Sequence, residues 1–140
     1  MKPISFEDLT GKVCVITGGA GVLGVEMVKA LASVGVKIAI ADINKEVADK
    51  VAAEVAAESG ATIIGVAANV LDKESLQKAK AEINEKLGPI EILINGAGGN
   101  HPTATTKVEQ MDDDSIDHLE DTFYGLEMDG FDKVFALNFK

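Results

Sequence analysis

The sequence predicts an α/β domain in which a parallel sheet lies between layers of helices. Three observations lead there. Short apolar runs alternate with stretches of helical periodicity along most of the chain, the pattern of strand–helix–strand units. Aromatic residues make up 4 % and tryptophan is absent, while alanine, valine and glycine abound, which suits strands buried on both faces. The first apolar run ends in a glycine-rich turn, Thr17-Gly18-Gly19-Ala20-Gly21-Val22-Leu23-Gly24, that opens into a helical pattern.

The first strand is expected over Lys12 to Thr17. The helix after the turn places Leu23, Met27, Val28 and Leu31 on its inward face and stops near Gly35, because glycine readily ends a helix. Val36 to Ala41 reads as a second, fully apolar strand ending at Asp42. Asn44 is a candidate N-cap for a helix over Lys45 to Ser59, with Val47, Val51 and Val55 inward and Gly60 as its stop. Thr62 to Ala68 forms the third strand. Asp72 and Ser75 open another helix with Leu76, Ala79, Ile83 and Leu87 inward, and Gly88-Pro89 closes it. Ile90 to Ile94 is the fourth strand, followed by Asn95-Gly96-Ala97-Gly98-Gly99. From Asn100 to about Ser115 the chain is polar and unpatterned, and is expected to be a mobile loop. An amphipathic stretch runs from Phe123 to Phe139. No repeat or domain linker stands out. The prediction is one domain over 1–140: a three-layer, doubly wound parallel sheet of Rossmann type, strand order 3-2-1-4, truncated after the fourth strand and its following helix.

Composition excludes several function classes. A formal net charge of −10 argues against nucleic acid or an anionic membrane surface as partner, since both need basic patches. No apolar run approaches the roughly 20 residues of a membrane span, and no signal-peptide core is visible; a cytoplasmic protein is expected. Cys14, the single cysteine, sits inside an apolar strand and reads as a buried inert thiol rather than a nucleophile. The run Asp112-Asp113-Asp114 reads as a solvated helix start in preference to a metal site. No metal site is expected.

Gly19, Gly21 and Gly24 have the G-x-G-x-x-G spacing. In a dinucleotide site the first permits the tight turn, the second lets the backbone approach a pyrophosphate, and the third lets helix and strand pack closely. Gly18, Gly19, Gly21, Val22, Leu23 and Gly24 would then cradle the pyrophosphate, with the free N–H groups at the helix start facing it. Asp42, about 20 residues on, is placed to accept the ribose hydroxyls and to repel a 2′-phosphate. That favours NAD over NADP. The competing reading of Asp42 is a helix-capping turn residue. Asn69 and Val70 could flank the adenine, with a plain turn asparagine as the alternative for Asn69. Asn95, Gly96, Ala97 and Gly98 would let the nicotinamide side lie close over the sheet.

In this order these residues resemble the short-chain dehydrogenase/reductase family, from Leu9-Thr10-Gly11-Lys12 through to Leu137-Asn138-Phe139. Val22 stands where the family usually has Gly or Ala, Asn69 where it has Asp, and Gly96 where it has a second Asn. The resemblance implies hydride transfer between a nicotinamide coenzyme and a secondary alcohol or ketone, by way of Asn, Ser, Tyr and Lys. Asn138 matches the asparagine of the catalytic relay. Tyr124 has Met128, not lysine, four residues on, and precedes Asn138; it reads as a packing residue. The Ser, Tyr and Lys are therefore expected outside these 140 residues. A shortened polypeptide is favoured over a split protein or a standalone nucleotide-binding module, and the chain alone is expected to be inactive.

The segment Ile94-Asn95-Gly96-Ala97-Gly98-Gly99-Asn100-His101-Pro102 is similar to the branch of that family that interconverts D-mannonate and D-fructuronate. Gluconate 5-dehydrogenases look similar as well. On this resemblance Asn100 and His101 leave the fourth strand at the ligand-binding edge of the sheet and contact a small sugar-acid substrate. A structural loop role for His101 stays open, and His118 is expected in solvent. The family also implies a homo-oligomer. Two rivals remain: an S-adenosylmethionine methyltransferase and a noncatalytic dinucleotide sensor. The first leaves Asn95-Gly96-Ala97-Gly98 and Leu137-Asn138 unexplained.

Overall fold

A computed structural model describes residues 5–139. Its elements group into two compact units, Met1–Ala97 and Gly98–Lys140, where the sequence reading treats 1–140 as one domain.

The first unit holds the sheet. Strands β1 (Val13–Thr17), β2 (Lys37–Asp42), β3 (Ile63–Ala67) and β4 (Ile92–Asn95) pair in the order β3-β2-β1-β4, as the sequence predicts. All three pairings are parallel, with Val15 opposite Ala39 and Leu93, and Ile40 opposite Gly65. Alternation along the strands splits the core in two. Cys14, Ile16, Ile38 and Ile40 face α1 (Val22–Ser33) and α2 (Lys45–Ser59), while Val13, Val15, Ala39, Ala41 and Val66 face α3 (Lys73–Lys86). Three layers result. Cys14 is fully buried, and burial pushes its thiol up to about 11, the inert state expected for it.

Local signals set the helix ends. The Asn44 side chain accepts the Val47 N–H at 3.2 Å, and Gly60 (φ 71°) returns its N–H to the Ala56 carbonyl. Asp72 accepts the Glu74 N–H at 2.9 Å, and Ser75 Oγ accepts that of Asn69.

The inward faces correct the sequence reading in part. In α1 the buried stripe is Gly24, Val28 and Ala32, with Leu31 half-buried; Leu23 is 74 % exposed and Met27 also faces solvent. The cause is Gly24. A Cβ there would lie 2.6 Å from the Gly18 carbonyl oxygen and the Gly19 Cα, so Gly24 must face the strand. The i, i+4, i+8 series then fixes the helix phase, and Leu23 and Met27 rotate outward. Val47 in α2 and Leu76 in α3 are likewise exposed, while Ala48, Val51, Ala52, Val55, Ala79, Ile83 and Leu87 are buried. Strand β4 pairs with β1 alone among the described residues. Its Leu93 is exposed and its Ile92 and Ile94 are half-buried, which leaves an apolar strand edge.

The second unit is helical. Between Asn100 and Ser115, where a mobile loop is expected, a 3-10 turn occupies Pro102–Ala104, and a 3-10 segment kinked at His118 runs from Asp114 to Asp121. Asp112 starts the latter by accepting the Ser115 N–H and hydroxyl at 2.9 and 2.6 Å, so the acidic run is a helix start. The amphipathic stretch begins later than predicted. Phe123–Gly125 is a separate 3-10 turn and α4 spans Met128–Phe139. Tyr124 is not a packing residue: it is 73 % exposed and stands T-shaped to Phe123, ring centroids 6.1 Å apart. Thr122 and Gly125 take the inward positions of that turn, and a Cβ on Gly125 would collide with the Glu120 backbone. His118 lies in solvent.

Candidate functional site: a dinucleotide cradle and an asparagine clasp

Strand β1 hands its chain into the turn through Gly18, whose φ of 66° is a left-handed conformation that glycine adopts without penalty. A Cβ on Gly18 would also stand 2.8 Å from the Ala97 Cα. The turn and the segment after β4 thus approach backbone to backbone. Thr17 locks this approach. Its buried Oγ1 accepts the N–H groups of Gly96 and Ala97, both at 3.2 Å. Sequence reasoning marked Thr17 only as the entry to the turn. The available signal was a hydroxyl ending an otherwise apolar buried strand.

The start of α1 is open. Gly21 is its N-cap, no side chain caps it, and its first turn carries no acidic residue. The N–H groups of Val22, Leu23 and Gly24 have no partner among the described residues. Gly21 is exposed, and a Cβ there would meet only the Gly18 carbonyl oxygen, at 3.3 Å. Little inside the protein requires glycine at that position; an approaching anion does.

Asp42, at the end of β2, serves the same turn. One carboxylate oxygen accepts the Ala20 N–H at 3.3 Å and the other accepts the Asn44 N–H at 3.1 Å. The carboxylate therefore ties β2 to the glycine turn while each oxygen keeps a lone pair for a ligand hydroxyl. The tie to Ala20 was not foreseen, because it joins residues 22 apart. Asn69 spends its Oδ1 on the Leu71 N–H at 3.0 Å, a turn role that leaves its amide Nδ2 as the group to meet a ligand. Val70 is half-buried beside it, and Asn95, at the end of β4, is exposed.

The second unit brings together residues 39 apart. The Asn138 Oδ1 accepts the Gly99 N–H at 3.2 Å, and its Nδ2 donates to the Gly99 and Val134 carbonyls, both at 2.8 Å. A Cβ on Gly98 would fall 2.6 Å from Asn138 Oδ1, so glycine is required for the clasp. His101 is the N-cap of the Pro102–Ala104 turn, and Asn100 immediately precedes it. No helix among the described residues is long and apolar enough to cross a membrane.

Comparisons with known proteins agree with this arrangement. The family model for short chain dehydrogenase matches residues 12–140. An oxidoreductase of Bacillus subtilis named UxuB, itself uncharacterised, is 44 % identical over 133 residues, which is 95 % of this chain and 46 % of that protein. A 7alpha-hydroxysteroid dehydrogenase of Bacteroides fragilis is 32 % identical over 95 % of this chain and 44 % of its own length. A crystal structure from Haemophilus influenzae, provisionally named a D-mannonate oxidoreductase and solved with bound NAD, superposes with a TM-score of 0.85 at 40 % identity, covering 94 % of this chain and 46 % of that one. The chain spans about half the length of the curated relatives it matches. With the glycine turn, the strand-end carboxylate, the sheet order and the family model in agreement, the chain belongs to the short chain dehydrogenase family.

Proposed function

We propose that this chain supplies the coenzyme-binding part of an oxidoreductase that passes a hydride between NAD(H) and a secondary alcohol or ketone of a sugar acid, the pair D-mannonate and D-fructuronate in particular. The open start of α1, with the Asp42 carboxylate tied to the same turn, carries the reading. Gly19, Val22, Leu23 and Gly24 take the pyrophosphate on backbone amides, while Gly18 and Gly21, whose N–H groups bond the Ala41 and Gly18 carbonyls, shape the turn that lets it approach. Asp42 accepts the ribose hydroxyls and disfavours a 2′-phosphate, so NAD is preferred to NADP. Asn69 and Val70 flank the adenine. Asn95, Gly96 and Ala97 line the nicotinamide side in the first unit. NAD, when bound, supplies the hydride acceptor; the protein's share is to orient it and to move the proton. Asn138 belongs to the proton relay, its side chain already fixed by Gly99 and Val134. Asn100 and His101 meet the substrate. Residues 1–140 form one dinucleotide-binding domain with the remainder of a protein of its relatives' length, soluble in the cytoplasm and homo-oligomeric.

Support for the sugar acid comes from the Haemophilus relative's provisional name, and support for NAD from the coenzyme in its crystal. Family membership leaves no place for the methyltransferase reading. The test is calorimetry on the polypeptide at its relatives' length, with NAD and with NADP, for the parent and for Asp42→Asn. NAD binds more tightly in the parent, and the substitution narrows the preference by about tenfold or more, the worth of a charged hydrogen bond. Absence of heat with both coenzymes, or an unchanged preference in the variant, overturns the coenzyme assignment. Reduction of NAD by D-mannonate against D-gluconate then tests the substrate. Tight NAD binding with no turnover of any sugar acid favours a sensor.

A further inference from the structure

We propose that His101 selects the carboxylate end of the substrate through its Nε2, and that Asn100 positions His101. The inference rests on the sugar-acid reading above and divides two residues treated there as equivalent.

Both ends of the Asn100 side chain are engaged in holding the turn. Its Oδ1 accepts the His101 N–H at 2.9 Å, and its Nδ2 donates to the Thr105 hydroxyl. Thr105 in turn donates to the His101 carbonyl at 3.2 Å. Both backbone groups of His101 are thereby held. The ring is held too, on one side. The Thr103 N–H donates to Nδ1 at 3.4 Å, and the Thr103 hydroxyl lies 3.0 Å from the same nitrogen. A backbone N–H only donates, so Nδ1 is the acceptor and the ring proton of the neutral imidazole sits on Nε2.

The mount is rigid. The Glu127 N–H donates to the Thr103 carbonyl at 2.9 Å, and Gly130 of α4 is buried where a Cβ would strike the Thr103 hydroxyl and backbone. Nε2 has no hydrogen-bond partner among the described residues. No described side-chain nitrogen or oxygen is buried without a partner, so Nε2 of this half-buried ring is open to solvent. A fixed donor aimed outward is the geometry of a recognition group.

Charge accounting supplies the ligand class. The basic side chains described in this unit are His101, Lys107, His118 and Lys133. Lys107 pairs with Asp121, His118 stands 3.5 Å from Glu120, and Lys133 pairs with Asp129 at 2.6 Å. His101 alone faces no carboxylate within 4.0 Å among the described residues. Asp129 also lies within electrostatic reach of His101, but its carboxyl, lowered first by its hydrogen bond to Lys133, is paired with that lysine. An anion entering this unit finds one ring donor that no carboxylate claims.

The test is steady-state kinetics on the polypeptide at its relatives' length, comparing D-mannonate with D-mannonamide, its neutral isostere. The parent prefers the acid. His101→Phe lowers that preference about tenfold or more, chiefly through KM, and His101→Gln, which keeps a side-chain donor, restores part of it. Thr103→Val removes the hydroxyl contact, leaves the ring on the backbone N–H alone, and gives an intermediate, equally acid-specific loss. Coenzyme binding, read by calorimetry, is unchanged in all three variants, which also reports that they fold. An unchanged acid-to-amide ratio in both His101 variants, or an equal loss on acid and amide, overturns the role of His101 while leaving the sugar-acid reading intact. A parent protein that oxidises no hydroxy acid overturns both.

Discussion

Helices α2 and α3 start on side-chain caps, from Asn44 and Asp72, and each carries an acidic residue in its first turn, Glu46 and Glu74. Helix α1, in the same unit and of similar length, has neither. A cap is worth about 1 kcal/mol, and an acid near the positive end of the helix dipole adds about 0.3–1 kcal/mol. The folded chain forgoes both at α1 and takes both at α2 and α3. Stability alone does not explain that asymmetry. An anionic ligand does, because a capping carboxylate would occupy the amides and repel the phosphates that belong there.

The sharpest way to break the comparison sets two glycines of one turn against each other. Gly24→Val drives a Cβ to 2.6 Å from the Gly18 and Gly19 backbone, where nothing flexible can yield. A loss of about 3 kcal/mol or more is expected, read as a large fall in Tm. Gly21→Ala meets only one carbonyl oxygen at 3.3 Å and should unfold nothing. Its methyl group instead stands on the exposed approach to the amides, so NAD affinity falls about tenfold or more while Tm moves little. Equal losses of stability in the two variants would mean that Gly21, too, is kept for packing.

Next in size come the capped helices. Asn44→Ala and Asp72→Ala each cost about 1 kcal/mol in denaturant unfolding. Asp72→Ala leaves NAD affinity as it was. Asn44→Ala also leaves it unchanged so long as the Asn44 N–H, which holds Asp42 at 3.1 Å, stays in place. Coenzyme loss in both variants, matching that of Gly21→Ala, would erase the distinction between a helix end built for stability and one built for a ligand.

How much of this was legible in the sequence follows from the range of each signal. The ends of α2 lay in Asn44 and Gly60, and the places of the strands in the alternation of apolar runs, because caps and periodicity act over a few residues. The inward face of α1 was misread because Gly24 packing on Gly18 and Gly19, rather than the count of large apolar side chains, sets the helix phase. Tyr124 was misread for a related reason: small residues, Thr122 and Gly125, took the interior of its turn. The Thr17 clamp, the Asp42 tie to Ala20 and the Asn138 clasp on Gly99 join residues 79 and 80, 22, and 39 apart. Their residue types were visible and their partners were not.

The smallest effect tests the asymmetry most directly. Leu23 is 74 % exposed in the first turn of α1, so Leu23→Glu buries nothing new and removes no packing. By the dipole argument alone it stabilises the helix by about 0.3–1 kcal/mol, a small rise in Tm. The same carboxylate faces the phosphates, so NAD affinity should fall, and added salt should recover part of the loss by screening the repulsion. A variant that gains stability and loses coenzyme separates the two demands at one position. A variant that gains stability and binds NAD as before would show that the uncapped start of α1 is indifferent to charge, and its amides would lose their claim on the diphosphate.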